Sequence, residues 1–107
     1  MTYPRELKEY PQLQEKTYPF RLFFNKTLDT KVNQNILFLH WHEHFEIIVM
    51  EQGSAVFHID SQPYEARQGD LLLVPSGGLH VGYSLQEGDV RYVSIVIHSS
   101  LFNDWVH

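Results

Sequence analysis

The sequence predicts an all-β domain, built as a sandwich or a barrel of short strands. Between residues 20 and 98, short β-branched or aromatic runs alternate with turn signals rich in Gly, Pro, Asn, Asp and Ser. These runs recur at the regular spacing that is typical of sandwiches and barrels. The chain has 107 residues and no cysteine, so it is the size of one domain, and disulfides and zinc-thiolate sites are excluded.

The chain begins with a segment whose composition and residue pattern differ from those of the rest. Residues 1–17 carry charges and prolines without a sustained period, so we predict an N-terminal arm in which a helical turn is the most that forms. This segment lacks the apolar run of a signal peptide, and no stretch of the chain approaches the ~20 apolar residues of a membrane span. We therefore expect a cytoplasmic protein.

The folded part is predicted to occupy residues 18–107 and to contain seven strands. After the last strand, Ser99 and Ser100 are good N-cap residues, and residues 101–107 place Leu101, Trp105 and Val106 on one side of a helix that has barely begun. The predicted strands are residues 20–26, 36–41, 45–51, 55–60, 71–74, 79–85 and 91–98.

The charge balance argues against direct binding of nucleic acid by this chain. The formal net charge is −5 and the isoelectric point is about 5.7, whereas the phosphate backbone attracts a basic surface. Any contact with DNA is expected to come from another domain.

The clearest candidates for metal ligands lie just before and within the third predicted strand. Four of them share one parity, so an unbroken strand would project all four from the same face. Imidazoles and a carboxylate that converge in this way suit a divalent transition metal. Histidines near a strand end are also often only solvated or hydrogen-bonded, and the pattern leaves these two interpretations evenly balanced. The residues are His40, His42, His44 and Glu46.

A second cluster covers residues 69–80. Gly69 and Asp70 form a turn before a wholly apolar strand, residues 75–78 form the turn that ends it, and His80 begins the next strand. Taken alone, this pattern predicts a hairpin, in which a single histidine is more often a packed or surface residue than a ligand.

Together the two clusters resemble the two motifs of the cupin family. The first reads HxH(x)3E(x)6G from His40 to Gly53, and the second reads G(x)5PxG(x)2H from Gly69 to His80. Two positions depart from the family pattern: Gln34 replaces a glycine, which is expected to weaken a turn, and Ser84 replaces an asparagine.

The resemblance implies a double-stranded β-helix, or jelly-roll barrel. It also implies a metal site for one divalent transition metal, such as Zn, Ni, Fe or Mn. The implied ligands are His40, His42, Glu46 and His80.

The sequence around the motifs is similar to the sensor barrels of AraC-type transcription regulators. The similar segments are residues 40–49, 69–75 and 91–102. In that family the barrel precedes a helical dimerisation segment and a domain with two helix-turn-helix motifs, neither of which occurs in these 107 residues. The resemblance implies an effector-binding sensor domain for a small polar molecule such as a sugar. It also implies a homodimer that contacts DNA only through a separate domain.

Strand parity predicts which side chains enter the barrel. If His42 and Glu46 point inward, Ile48 and Met50 do so too, while residues 45, 47 and 49 form an outward apolar row that needs a cover. A helix, the N-terminal arm or a second subunit could supply this cover. On the last strand, the resemblance places Tyr92 and Ser94 inside. His58, His98 and His107 are not expected to be ligands. The predicted ligand pocket comprises His40, His42, His44, Glu46, Ile48, His80, Tyr92 and Ser94.

Two other functions use the same residues. A small metal-dependent cupin enzyme, a dioxygenase or an isomerase, is favoured by the four intact ligands. Two observations argue against an enzyme. The sequence offers no further clear acid or base, and its strands resemble those of the AraC-type sensor barrels. A carbohydrate-binding module without a regulatory role would use the same pocket.

Overall fold

The computed structural model describes residues 3–9 and 20–98, and within them the chain forms one 3₁₀ turn followed by eight β-strands. The turn is Arg5–Leu7. The strands are β1 Phe20–Thr30, β2 Asn35–His40, β3 Phe45–Gln52, β4 Ser54–Ile59, β5 Gln62–Arg67, β6 Leu71–Val74, β7 His80–Ser84 and β8 Gly88–Ile97.

The strands form two four-stranded sheets in which every neighbouring pair is antiparallel. One sheet has the order β1-β8-β3-β6 and the other has the order β2-β7-β4-β5. Eight antiparallel strands divided in this way form a jelly roll, so the predicted double-stranded β-helix is confirmed. No helix among the described residues is long and apolar enough to cross a membrane.

The core lies between the sheets and follows the period-two alternation of the strands. Along β3 and β8 every second residue is buried, which confirms the inward positions predicted for Ile48, Met50, Tyr92 and Ser94. Phe57 packs edge-on against Tyr92 with ring centroids 5.6 Å apart. The buried apolar cluster comprises Ile48, Met50, Ala55, Phe57, Ile59, Ala66, Val74, Val90 and Tyr92.

The predicted number of seven strands is wrong because β5 was missed. Residues 60–63 resemble one long turn, but the turn is confined to Asp60 and Ser61, whose φ angles of 50° and 69° make a tight two-residue hairpin. Pro63 then lies inside β5, which is an edge strand where a missing N–H is tolerated. Most of β5 is exposed, so it lacks the apolar alternation that reveals a strand.

Several predicted boundaries also shift. The supposed turn at Asp29 and Thr30 is the irregular end of β1, where the register against β8 changes. Trp41 lies outside β2 and forms an isolated bridge with Lys8. The 3₁₀ turn agrees with the helical turn expected in the arm, while the helix predicted for residues 101–107 lies outside the described residues.

Gln34 and Ser84, the two residues that depart from the cupin pattern, contact each other. The Gln34 backbone N–H donates to Ser84 Oγ at 3.2 Å, and the Ser84 N–H donates to the Gln34 carbonyl at 2.9 Å. Asn33 adopts a φ of 66° one position earlier, and an asparagine tolerates this left-handed conformation. Asn33 thus supplies the left-handed residue of this turn. The weakening of the turn by Gln34 stays a prediction.

Candidate metal centre

Three strands and one loop bring the four motif residues together at one end of the barrel. His40 ends β2 and pairs with His80, which begins β7, while Glu46 lies near the start of β3. His42 lies in the bend between β2 and β3. One side-chain ligand atom from each of these four residues lies within 4.8 Å of the other three. The local fold thus gathers the predicted metal ligands.

Most of this cluster is shielded from solvent. His42, Glu46 and His80 are 1%, 3% and 0% exposed, whereas His40 is intermediate and forms the more open side. Burying an ionisable group away from water is costly unless it is paired or coordinated. The cluster is therefore a specific polar site at the edge of an apolar core.

The backbone orients all three imidazoles in the same way. The Nδ1 atoms of His40, His42 and His80 lie 2.7, 2.9 and 2.8 Å from the carbonyl oxygens of Phe38, His44 and Gly78, respectively. A carbonyl oxygen only accepts, so each Nδ1 must carry the hydrogen. Each neutral ring then keeps its lone pair on Nε2.

The Nε2 atoms of His42 and His80 converge on the Glu46 carboxylate. Glu46 Oε1 lies 2.8 Å from His42 Nε2 and 3.4 Å from His80 Nε2, and the latter nitrogen has no hydrogen bond of good geometry. Lone pairs on nitrogen and oxygen cannot face each other so closely without a proton or a cation between them. Ligand atoms that are bound about 2.1 Å from one ion are about 3 to 3.4 Å apart. The spacings of 2.8 and 3.4 Å are close to this range, and the cluster could hold a small divalent metal.

In the metal-free state, protons neutralise part of this arrangement. Burial by itself raises the pKa of the Glu46 carboxyl, but the imidazoles of His42 and His80 outweigh burial and lower that pKa to about 2. Burial also disfavours charge on His80, yet the Glu46 carboxylate raises the pKa of this imidazole. Burial and the facing His80 lower the pKa of His40. A carboxylate and at least one readily protonated imidazole therefore occupy the site together.

The remaining predicted pocket residues lie around this cluster in different settings. The bend at residues 42–44 breaks the strand, so His44 is not among the four clustered residues, and its ring lies 4.9 Å from that of His98. Ile48 and Tyr92 belong to the apolar core. Ser94 is buried, and its Oγ accepts a hydrogen bond from the Asn25 amide at 3.4 Å. Burial, with the charges of Glu46 and Glu9, raises the pKa of the Tyr92 hydroxyl.

Sequence reasoning did not single out Glu9, although its carboxylate lies 3.8 Å from His40 Nε2. Glu9 is 31 positions before His40 in the chain and belongs to the arm rather than to a motif. No spacing rule could connect the two residues. The contact depends on how residues 3–9 pack against the barrel.

Comparison with known proteins agrees with this architecture. Residues 29–107 match the sequence model of a family described as the AraC-like ligand binding domain. The chain belongs to this family. It is also 30% identical over 86 residues to an uncharacterized HTH-type transcriptional regulator, YdeC, of Bacillus subtilis; the alignment covers 72% of this chain and 30% of the regulator. The chain thus spans less than a third of that relative.

Solved structures support the cupin fold of this AraC-like ligand binding domain. The cupin domain of Cnp3 from Schizosaccharomyces pombe superposes with a TM-score of 0.68 at 12% identity, covering 88% of this chain and 62% of that one. A Cupin 2 conserved barrel domain protein from Salinispora arenicola superposes with a TM-score of 0.65 at 15% identity, covering 92% and 76% of the two chains. At such identities the likeness concerns the fold alone.

Proposed function

We propose that this chain is the effector-sensing domain of a transcription regulator and that it binds a small polar molecule, such as a sugar, at the histidine end of its barrel. Membership of a ligand-binding family supports the binding role, and similarity to part of an HTH-type regulator supports the regulatory role. In this proposal residues 1–17 are an arm and residues 18–107 are the sensor barrel. The pocket includes His44, Ile48, Tyr92 and Ser94 beside the four clustered residues.

The same proposal includes one divalent transition metal, such as Zn, Ni, Fe or Mn. The observation that carries it is the shared orientation of His40, His42 and His80, whose Nδ1 atoms are fixed by backbone carbonyls. This leaves the Nε2 atoms of His42 and His80 facing Glu46. Such outer hydrogen bonds are the usual support of metal-binding histidines. A bound ion would supply positive charge and open positions for oxygen donors of the effector.

Isothermal titration of metal-free protein with zinc and with nickel tests the site. We expect one equivalent to bind, and His80→Ala to weaken the affinity by about 100-fold or more, since it removes a ligand that is fixed by its own backbone bond. His58→Ala is the matched control, because His58 is partly buried and faces Tyr83 away from the cluster. Folded wild-type protein that binds neither metal would contradict the metal site and leave a pocket for an organic ligand.

Recognition of DNA is proposed to belong to another part of the full protein. The chain has a net charge of −5, and the described residues contain no helix-turn-helix. A gel-shift assay on the promoter beside the gene should therefore show specific binding by the complete reading frame and none by the 107-residue chain. Specific binding by the short chain at physiological salt would contradict this division of labour.

We also propose that the barrel pairs with a second copy through the outer face of the β1-β8-β3-β6 sheet. The outward row predicted on β3 continues across all four strands, because residues in register project to the same face. Contiguous apolar surface of this kind is typical of interaction sites. The rows are Phe20, Ile97 and Phe45; Leu22, Ile95, Ile47 and Leu73; and Phe24, Val93, Val49 and Leu71.

Sedimentation velocity over a range of concentrations tests this pairing. Phe24→Glu places a charge on the face where the side chain is 76% exposed, and it should convert a dimer into a monomer. Phe38→Glu is the control, because Phe38 is 82% exposed on β2 in the other sheet. A wild-type monomer at high micromolar concentration, or equal loss of dimer in both variants, would refute the proposed interface.

A metal-dependent cupin enzyme is the second candidate, and the clustering of all four predicted ligands is the observation that favours it. Membership of a ligand-binding family favours the sensor instead. The reading frame beyond His107 distinguishes the two. A continuation of about two hundred residues with two helix-turn-helix units supports the regulator, whereas an early stop codon supports the enzyme.

A further inference from the structure

The N-terminal segment of residues 3–9 is fastened to the barrel beside the histidine cluster. The Glu9 N–H donates to the Trp41 carbonyl at 2.7 Å, and the Trp41 N–H donates to the Leu7 carbonyl at 2.9 Å. The Trp41 indole N–H also donates to the Pro4 carbonyl at 2.7 Å. Farther along the segment, the Tyr3 hydroxyl donates to Asp60 at 2.8 Å. Trp41 directly follows His40, so this docking holds the segment at the more open side of the cluster.

The docked backbone sends its two charged side chains to different places. The Lys8 ammonium lies 2.9 Å from Glu43 and 5.2 Å from the centre of the Trp41 ring. The Glu9 carboxylate lies 3.8 Å from His40 Nε2. Successive residues of an extended segment project in opposite directions. Lys8 thus anchors the segment to the outer rim, and Glu9 is left facing the site.

The nitrogen that faces Glu9 is the one that the backbone leaves available. His40 Nδ1 is committed to the Phe38 carbonyl at 2.7 Å, so a neutral His40 presents its Nε2 lone pair toward the carboxylate. Two lone pairs repel unless a proton or a cation lies between them. His40 Nε2 thus faces the Glu9 carboxylate on the open side of the cluster, as His42 Nε2 faces the Glu46 carboxylate on the buried side.

Two carboxylates thus lie beside the imidazoles of the cluster. Glu9 lies 3.8 Å from His40 Nε2 on the open side, and Glu46 lies 2.8 Å from His42 Nε2 on the buried side. This charge balance favours a divalent cation over an anionic ligand.

We propose that Glu9 is an arm-borne acidic group of the cation site, so that binding of a divalent metal and docking of residues 3–9 strengthen each other. This inference rests on the metal site proposed above and adds to it a residue that neither motif contains. The coupling is reciprocal, because any contact that raises metal affinity when the segment is docked must favour docking when the metal is bound. Glu9 is half exposed, so its contribution is smaller than that of a buried ligand.

The test compares Glu9→Gln with Glu6→Gln in the full chain. Both changes remove one negative charge from the same segment, but Glu6 is exposed in the 3₁₀ turn and its carboxylate has no described contact with the cluster. The Glu9 backbone bond does not use the carboxylate, so both variants should fold. Titration calorimetry with nickel should show affinity about three- to tenfold weaker for Glu9→Gln and unchanged for Glu6→Gln.

A second measurement reports the docking itself. The chain has two tryptophans, so a Trp105→Phe background leaves the emission of Trp41, whose indole contacts the docked segment. Nickel quenches tryptophan emission by itself, so zinc is the titrant. Zinc should change the Trp41 emission in the protein that keeps both glutamates and in the Glu6→Gln control. In the Glu9→Gln variant this change should be smaller by at least half.

Three outcomes are distinguishable. Weaker nickel binding and a reduced emission change for Glu9→Gln alone support the inference. Metal binding by wild type with equal affinity in Glu9→Gln overturns the role of Glu9 and leaves the metal site intact. Absence of metal binding in wild type overturns the metal site and this inference together.

Discussion

Replacement of Glu46 by Gln should change how the stability of the metal-free protein depends on pH. Glu46 is 3% exposed, and burial alone would raise its pKa, but the imidazoles of His42 and His80 outweigh burial and lower the pKa from 4.5 to about 2. A group whose pKa is lower in the folded state stabilises the fold above its unfolded pKa, and this contribution is lost as the pH falls through the folded pKa. This lowering of the Glu46 pKa corresponds to about 3 kcal/mol of stability near pH 6, and the contribution falls to about 1 kcal/mol at pH 3.

The alkaline side of the same profile depends on His80. Its pKa is raised in the folded state, so its contribution is present below the unfolded pKa of 6.5 and is lost as the pH rises through the folded value. Glu46 and His80 take part in the same interaction, which contributes to stability once. The stability difference between wild type and Glu46→Gln should therefore be largest near pH 5 to 6 and should decline on both sides.

Urea unfolding in the presence of a chelator, followed by circular dichroism from pH 3 to pH 8, measures this difference. The linear extrapolation gives the free energy of unfolding at each pH. Glu43→Gln is the matched control, because Glu43 pairs with Lys8 at the surface and is largely exposed. A difference between wild type and Glu46→Gln that stays constant across the pH range would refute the proposed charge pairing.

The glycines give the other stability predictions. Gly82→Ala should cost about 1 to 3 kcal/mol in urea unfolding, because a Cβ would lie 2.8 Å from the buried Phe57 ring. Gly53→Ala combines a φ of +80° with a Cβ only 2.7 Å from the Asp89 carbonyl oxygen, so a loss of more than about 2 kcal/mol is expected. Gly69→Ala, with a φ of +92° and open space around the Cβ, should lose about 1 kcal/mol. Equal losses of stability in Gly53→Ala and Gly69→Ala would show that the close approach of the Cβ to the Asp89 carbonyl oxygen contributes nothing.

The alternation of side chains explains why much of the interior was predictable. From Phe45 to Met50 in β3 and from Val90 to Ile97 in β8, every second residue is buried, so one inward residue determines the others. The motif spacing likewise identified the four residues that cluster. His44 shows the limit of this argument: parity holds only within an unbroken strand, and the chain bends between His42 and His44.

The features that sequence reasoning missed depend on contacts that leave no local pattern. The edge strand β5 is held by its pairing with β4 rather than by an apolar face of its own. Glu9 reaches His40 because backbone hydrogen bonds dock its segment against Trp41. In both cases tertiary pairing determines the position of residues whose own sequence is polar and without a period.

The position of the histidine cluster itself argues for a binding role rather than a structural one. A set of apolar side chains of similar volume would extend the core from Ile48 toward Glu46 without burying any charge, and such replacements are often neutral or stabilising. A buried carboxylate beside His42 and His80 instead makes this end of the barrel sensitive to protons. A ligand that binds there can stabilise the folded state in proportion to its concentration. In the proposed role, the histidine end is therefore the part of the barrel whose stability would respond to a bound ligand.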